Sequence, residues 1–152
     1  MRTRPPAATA NSPDEVEAAL YEALQRGDIE ALMAVWADDD DIVCVHPGGG
    51  RLVGAGAIRA SFESIFANGG IPVQAEQVHR LQYLDSALHH LLEKVAVAGP
   101  DGQQTAWVIT TNFYVRAAQG WRLASHHASP GSLQQQRAGT VASHGEGPNT
   151  LH

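Results

Sequence analysis

The sequence predicts an α+β domain in which three helices cover one face of a curved antiparallel sheet. Apolar residues recur at helical spacing up to about residue 70, and long stretches of strand-like alternation follow from there. Short turns separate those later stretches, as is typical of an antiparallel meander. Helices first and strands afterwards favour α+β over an alternating α/β arrangement.

The first two helices have clear start and stop signals. Residues 1–11 are rich in Pro and Ala and are predicted to be a disordered segment. Ser12 is a good N-cap, and Glu15 completes a capping box, so the first helix begins there. Gly27 ends that helix, and Asp28 caps a second one whose apolar stripe reaches Trp36.

The segment between the second and third helices places a histidine at the mouth of a loop. The acidic run Asp38 to Asp41 is interpreted as a solvated turn, because it lacks the ligand spacing of a calcium loop. A short apolar strand, 42–46, then ends at His46, before a proline and three glycines. Gly54 or Ala55 opens the third helix. Because functional groups concentrate in loops held by rigid elements, His46 is a candidate site residue.

Four long strands are predicted after residue 72. Turn-forming residues separate them, and they span residues 73–84, 87–97, 105–117 and 121–129. The domain therefore covers about residues 12–131, and the polar remainder, 132–152, is predicted to be a flexible tail.

Alternation assigns the two faces of the sheet. We predict that the more apolar set on each of the last two strands faces the helices: Trp107, Ile109, Thr111, Phe113 and Val115, with Trp121, Leu123, Ser125 and His127. The opposite face also carries apolar groups, among them Leu88, Leu92, Val108 and Tyr114. A homodimer packed through this outer face would cover them.

Composition excludes several functional classes. The 152-residue chain has a net charge of −6 and ten Lys plus Arg, which argues against nucleic-acid binding because phosphate contacts need a basic surface. No apolar run approaches a membrane span, and the first residues lack the apolar core of a signal peptide, so we expect a cytoplasmic protein without membrane contact. The single cysteine, Cys44, lies in the short strand and is interpreted as a buried packing group.

The order of elements resembles the nuclear transport factor 2-like superfamily, and within it the small bacterial SnoaL-like domains. The resemblance is carried by residues 28–36, 45–48, 54–58 and 121–129, and it spans about residues 14–131. It implies a cystatin-like conical barrel, in which a bent antiparallel sheet wraps around three N-terminal helices and leaves a pocket at the open end. It also implies a homodimer. Members have many different activities, so the fold alone says little about function.

The chain departs from the best-known enzymes of that superfamily. Ketosteroid isomerases have an Asp base just before the Pro that ends the first strand, and this position is His46 here. The stretch that matches their oxyanion hole, 109–113, contains no carboxylate. Ketosteroid isomerase activity is therefore disfavoured. A histidine base resembles the scytalone dehydratase pattern more closely, since histidine titrates near neutral pH.

Three functional hypotheses remain open. The first is a domain that binds a small, largely apolar molecule and acts as an isomerase, dehydratase or cyclase. His46 would be its general acid or base, and His127 the partner. Its ligand would contact Thr111 and Ser125 between walls formed by Trp36, Phe62 and Phe113.

The second hypothesis is a domain that only binds a ligand or only dimerises, which requires no carboxylate in the pocket; none is evident from the sequence. The third is a metal site formed by His46, His127 and either His89 or His90. We favour no metal site and no cofactor, because the sequence shows neither a histidine pair at helical spacing nor a nearby carboxylate ligand.

Overall fold

The computed structural model of the protein describes residues 10–131, and its elements follow the predicted order with one additional strand. The helices are α1 (Pro13–Arg26), α2 (Ile29–Ala34) and α3 (Ala55–Phe66), and the strands are β1 (Val43–Val45), β2 (Arg51–Val53), β3 (Val73–Gln82), β4 (Ser86–Gly99), β5 (Gly102–Ala117) and β6 (Gly120–Pro130). The predictions for the N-terminal segment, apart from Ala10 and Asn11, and for the 132–152 tail fall outside the described residues.

The predicted caps of the first two helices are confirmed, except that the Glu15 carboxylate accepts from the backbone N–H of Asn11 at 2.8 Å and not from that of Ser12. The Ser12 hydroxyl accepts a hydrogen bond from the backbone N–H of Glu15, and Gly27 ends α1 in the left-handed conformation at φ 65°. The Asp28 carboxylate accepts from the backbone N–H of Ala31 and begins α2. Because each cap satisfies a backbone group that the helix leaves unpaired, the sequence signals alone fix these boundaries.

The chain returns from α3 to the sheet along the end of α1. The N–H of Ile71 donates to the carbonyl oxygen of Leu24 at 2.8 Å. Gly70 lies so close that a Cβ there would be 2.0 Å from the carbonyl oxygen of Gln25. A glycine is required because the two backbones touch.

One six-stranded sheet is formed, in the order β2-β1-β6-β5-β4-β3. β1 pairs with β6 in parallel, and the other neighbours are antiparallel. β2 was not predicted, because three residues are too few for a visible alternation. The sheet is curved and does not close, and the helices pack in its concave side, which confirms the predicted cone.

The core lies between α1, α3 and the concave face of the sheet. Leu20, Ile58 and Leu123 are among its fully buried side chains. Cys44 is also fully buried, as predicted, and its burial raises the pKa of the thiol to about 12. Among residues 10–131, no helix is both long enough and apolar enough to cross a membrane.

A β-bulge corrects the predicted faces of β6. Phe113 pairs with Ser125, but the next residue, Tyr114, pairs with Leu123, so Ala124 is an extra residue in β6. The alternation therefore changes phase at this point. Leu123 faces inward as predicted, but beyond the bulge the buried residue is His126 and His127 is exposed.

The predicted faces of β5 are wrong throughout. The buried residues of this strand are Thr110, Asn112 and Tyr114. Thr111 and Phe113 lie on the outer face instead. The prediction took the more apolar set as the interior, but Asn112 and Tyr114 pair with polar groups of α1, and such pairing offsets the cost of burying them.

Candidate functional site

A buried polar cluster joins α1 to three strands. We call it the Glu93 cluster, and its members are Tyr21, Glu93, Asn112 and His126. The Tyr21 hydroxyl donates to Oε2 of Glu93 at 2.6 Å, and Nδ2 of Asn112 donates to the Tyr21 oxygen at 3.2 Å. Nδ1 of His126 is 2.6 Å from Oδ1 of Asn112. The residues occupy inward positions on α1, β4, β5 and β6, so the fold alone brings them together.

The network assigns the tautomer of His126. The Asn112 amide nitrogen donates to Tyr21, which leaves its oxygen as the acceptor for the imidazole. Nδ1 of His126 therefore carries the proton, and the Nε2 lone pair is free. That nitrogen lies 4.0 Å from Oε2 of Glu93.

Burial favours the uncharged forms of both groups. It lowers the pKa of His126 to about 4, and the neighbouring His127 acts in the same direction. Burial also raises the pKa of Glu93, although the hydrogen bond from Tyr21 opposes this shift. The cluster thus pairs a neutral imidazole with a carboxyl group that holds its proton more strongly than usual.

His46 lies next to this cluster, where β1 ends. Its Nε2 is 2.8 Å from the hydroxyl oxygen of Ser61, and its ring meets the Phe62 ring edge-on at 4.9 Å. Partial burial lowers its pKa, an effect that His126 increases and Glu93 opposes. His46 is therefore within electrostatic reach of the Glu93 cluster.

The structure separates the other residues that the sequence proposed for the site. Trp36 is buried and forms a β-bridge with Leu123, and Phe62 contacts His46, so these two are in the interior. Thr111, Phe113 and His127 lie on the outer face. The Thr111 hydroxyl is there 3.2 Å from Nε2 of His90.

Ser125 pairs with Phe113 at the bulge and is partly buried. His127 is exposed, whereas His46 contacts α3 on the concave side of the sheet. The two histidines are therefore not brought together.

A second buried cluster surrounds Glu17, one helical turn before Tyr21. We call it the Glu17 cluster. Oε2 of Glu17 accepts from the Tyr114 hydroxyl and from Nδ1 of His89, each at 2.9 Å. Nε2 of His89 lies 4.0 Å from Oδ1 of Asp14, which also accepts from Arg80 at 2.8 Å.

Asp14, Glu17 and His89 place one ligand atom each within 4.8 Å of one another, and no other such group of three is found within residues 10–131. The histidine set proposed from the sequence, which combined His46 and His127 with His89 or His90, is thus not assembled there.

Sequence reasoning missed both interior carboxylates. The sequence made no carboxylate evident in the pocket, whereas Glu17 and Glu93 are both buried in the structure. The alternation of Ala87, Leu91 and Val95 along β4 puts Glu93 on the inward side, and this was the available signal. Nothing comparable marked Asn112 or His126, because their placement depends on partners and on the bulge.

The geometry of the Glu93 cluster suits proton transfer. A free imidazole nitrogen and a carboxyl oxygen 4.0 Å apart can both contact one small group that lies to one side of the line joining them. Tyr21 and Asn112 hold the two reactive groups in place. Environments that shift the pKa values of neighbouring groups in this way are typical of acid–base sites, and they also occur in structural networks.

Comparisons with known proteins identify relatives of this chain. A family model described as a SnoaL-like domain matches residues 14–132. A candidate calcium/calmodulin-dependent protein kinase type II association domain from Thiobacillus denitrificans is 33% identical, with a TM-score of 0.74 over 82% of this chain and 98% of that one. A candidate dehydratase of the nuclear transport factor 2-like family from Streptomyces avermitilis is 34% identical, with a TM-score of 0.68 over 76% and 91%.

A third similar structure, from Caulobacter vibrioides, is a protein with a cystatin-like fold. It is 17% identical, with a TM-score of 0.69 over 86% of this chain and 94% of that one, and so supports the fold alone. No protein of curated function gives a significant match.

Proposed function

The chain belongs to the family of SnoaL-like domains, and we propose that it binds a small, largely apolar molecule in the cone and transfers a proton on it. The observation that carries this proposal is the pair formed by His126 and Glu93, buried and 4.0 Å apart, with the imidazole nitrogen free to accept. The similarity to a candidate dehydratase at 34% identity supports an elimination reaction.

The reaction that we propose is the dehydration of a hydroxyl compound whose carbonyl activates the neighbouring C–H bond. Nε2 of His126 takes the proton from that carbon, and Glu93, which the proposed cycle requires in its acid form, gives its proton to the departing hydroxyl group. One C–H and one C–O bond break, a C=C bond forms and water leaves. The proton then returns from His126 to Glu93, which restores both groups for the next cycle.

The composition of the interior favours a neutral ligand. The buried polar and charged side chains of residues 10–131 are Glu17, His89, Glu93, Thr110, Asn112 and His126. None of these is a lysine or arginine, so a buried anionic ligand would have no permanent counter-charge. Buried apolar side chains such as Trp36 and Phe62 suit an apolar molecule that carries one carbonyl and one hydroxyl group.

The experiment compares two adjacent histidines. Small β-hydroxy carbonyl compounds are screened by native mass spectrometry and by the ultraviolet absorption of a conjugated product. We expect His126→Gln and Glu93→Gln to lower the rate by roughly a hundredfold or more, and the matched control His127→Ala to retain it. Equal rates for His126→Gln and His127→Ala would refute the proposed role of the cluster.

The earlier hypothesis that His46 is itself the acid or base is tested in the same assay. His46 lies beside the cluster but its Nε2 is already hydrogen-bonded to Ser61. We therefore expect His46→Ala to alter ligand affinity more than rate. A loss of rate larger than that of His126→Gln would transfer the acid–base role to His46.

A second proposal concerns self-association. We propose that the outer face of the sheet forms a homodimer, because Leu88, Phe113 and Ser125 lie in one row across β4, β5 and β6, and Phe113 remains 36% exposed. The likeness to a protein described as an association domain, at 33% identity, supports this proposal. Light scattering of the full chain tests it, and a monomer at micromolar concentration would contradict it.

A further inference from the structure

The Glu17 cluster contains a buried nitrogen without a hydrogen-bond partner. His89 is fully buried, and its Nε2 makes no hydrogen bond. A polar atom left unpaired in the interior costs free energy, so such an atom calls for an explanation. It points towards the Asp14 carboxylate, whose Oδ1 is 4.0 Å away.

The other ring nitrogen is held as in a metal-binding histidine. Oε2 of Glu17 accepts from Nδ1 of His89 and from the Tyr114 hydroxyl, both at 2.9 Å. Nδ1 therefore carries a proton, and in the neutral imidazole the Nε2 lone pair is directed at Asp14. Histidines that bind metals almost always donate their second ring nitrogen to a carboxylate, a carbonyl or water in this way.

The distance between Nε2 of His89 and Oδ1 of Asp14 is close to that expected for two ligands of one ion. Two ligands that each lie about 2.1 Å from a tetrahedral zinc ion are separated by roughly 3.4 Å, and by at most roughly 4.2 Å in any geometry. Nε2 of His89 and Oδ1 of Asp14 are 4.0 Å apart. Asp14 is 59% exposed at the start of α1, so a rotation of its side chain can bring Oδ1 nearer to the imidazole nitrogen.

We propose that His89 and Asp14 bind a divalent transition-metal ion, with Glu17 orienting the imidazole and water completing the coordination. An imidazole combined with a carboxylate favours zinc, cobalt or nickel, whereas calcium and magnesium prefer oxygen ligands alone. The bound ion joins the first turn of α1 to β4. This site is separate from the Glu93 cluster and does not depend on the proposed reaction.

Arg80 sets the affinity of this site. Its Nε donates to Oδ1 of Asp14 at 2.8 Å, so the guanidinium group occupies the carboxylate when no ion is bound. An ion must displace Arg80 from Asp14 and is repelled by the positive charge of the guanidinium group. Removing the charge by Arg80→Gln should therefore strengthen metal binding. If Asp14 served only a structural role, this change would not strengthen metal binding.

The experiment titrates the chelator-treated full chain with cobalt, read from its visible absorption, and with zinc by calorimetry. We expect one ion per chain for the wild type, at least tenfold weaker binding for Asp14→Asn, and tighter binding for Arg80→Gln. Glu17→Gln should weaken binding ten- to a hundredfold, as is typical for partners of a ligating histidine. Asp14 is at the surface, so Asp14→Asn still tests the site if the His89→Asn variant of the buried ligand does not fold.

The matched control is a His79→Gln/His90→Gln double variant. These two exposed histidines face each other across β3 and β4 and could bind metal adventitiously. We expect their removal to leave the first binding event unchanged. The proposal is overturned if the double variant abolishes binding, if Asp14→Asn binds as the wild type does, or if the wild type binds no ion.

Discussion

Nε2 of His126 lies 4.0 Å from Oε2 of Glu93, although their strands, β6 and β4, are not neighbours in the sheet. β5 runs between them, and its Asn112 accepts from His126 while donating to Tyr21, which in turn donates to Glu93. One amide therefore fixes both the distance between the two groups and the proton position on the imidazole. The Glu93 cluster is thus one hydrogen-bonded network with definite geometry, and its contribution to stability can be measured.

The first prediction concerns stability in acid. His126 has a folded-state pKa of about 4 against an ordinary value of 6.5, so the unfolded chain takes up a proton at higher pH than the folded one. Its stabilising contribution is complete above pH 6.5 and is lost as the pH falls towards 4. The shift corresponds to on the order of 3 kcal/mol.

Urea unfolding of the wild type and His126→Gln from pH 7 to pH 4 measures this contribution. The variant should lose less stability over that interval, and the control His127→Ala should keep most of the wild type's loss, because burial is the main cause of the His126 pKa shift and His127 only adds to it. Parallel pH profiles for the wild type and His126→Gln would show that burial does not shift this imidazole.

The second prediction concerns the Tyr21 hydroxyl. Tyr21→Phe removes the donor to Glu93 and leaves the buried carboxyl with fewer hydrogen bonds. We expect a loss of about 1–3 kcal/mol in the free energy of unfolding at neutral pH. The pKa of Glu93 should also rise further, because the Tyr21 hydrogen bond lowers it.

Urea denaturation and carbon-detected NMR titration of the Glu93 carboxyl measure the two effects of Tyr21→Phe. Tyr83→Phe is the matched control, because Tyr83 is 62% exposed at the end of the β3–β4 hairpin. An unchanged pKa of Glu93 in Tyr21→Phe would contradict the contact.

The third prediction compares two glycines. A Cβ at Gly70 would lie 2.0 Å from the carbonyl oxygen of Gln25, so Gly70→Ala must push two backbone segments apart. We expect a loss of about 1–3 kcal/mol, typical of overpacking. Gly56, in the first turn of α3, has open space around it, and Gly56→Ala should stabilise by about 0.5–1 kcal/mol. Thermal unfolding monitored by circular dichroism distinguishes them, and a loss of stability in both variants would count against this explanation.

The fourth prediction tests the proposed homodimer. Phe113→Asp puts a charge in the middle of the row formed by Leu88, Phe113 and Ser125, and a twofold dimer contains the change twice. We expect association to weaken by roughly a hundredfold or more, measured by analytical ultracentrifugation. Val53→Asp, at a 48% exposed position on β2 at the far edge of the sheet, is the control and should leave association unchanged. Equal effects of the two changes would place the interface elsewhere.

The sequence determined the elements and most of their boundaries. Ser12, Gly27 and Asp28 specify the helix ends through contacts with residues three or four positions away, and these are visible in a linear pattern. The alternation of the long strands specified an antiparallel meander, and the family resemblance carried by the order of elements implied the cone. β2 was not predicted, because its residues are recognised as a strand only by their pairing with β1.

Only the tertiary structure decided which polar groups share the interior. The bulge at Ala124 changes the phase of β6 and turns His126 inward in place of His127. No local sequence pattern indicates one extra residue in a strand. Asn112 and Tyr114 are buried because α1 supplies Tyr21 and Glu17 as partners some ninety residues earlier in the chain. Hydrophobicity predicts burial from one residue at a time, whereas the burial of a polar side chain depends on a partner that only the folded chain brings within hydrogen-bond distance.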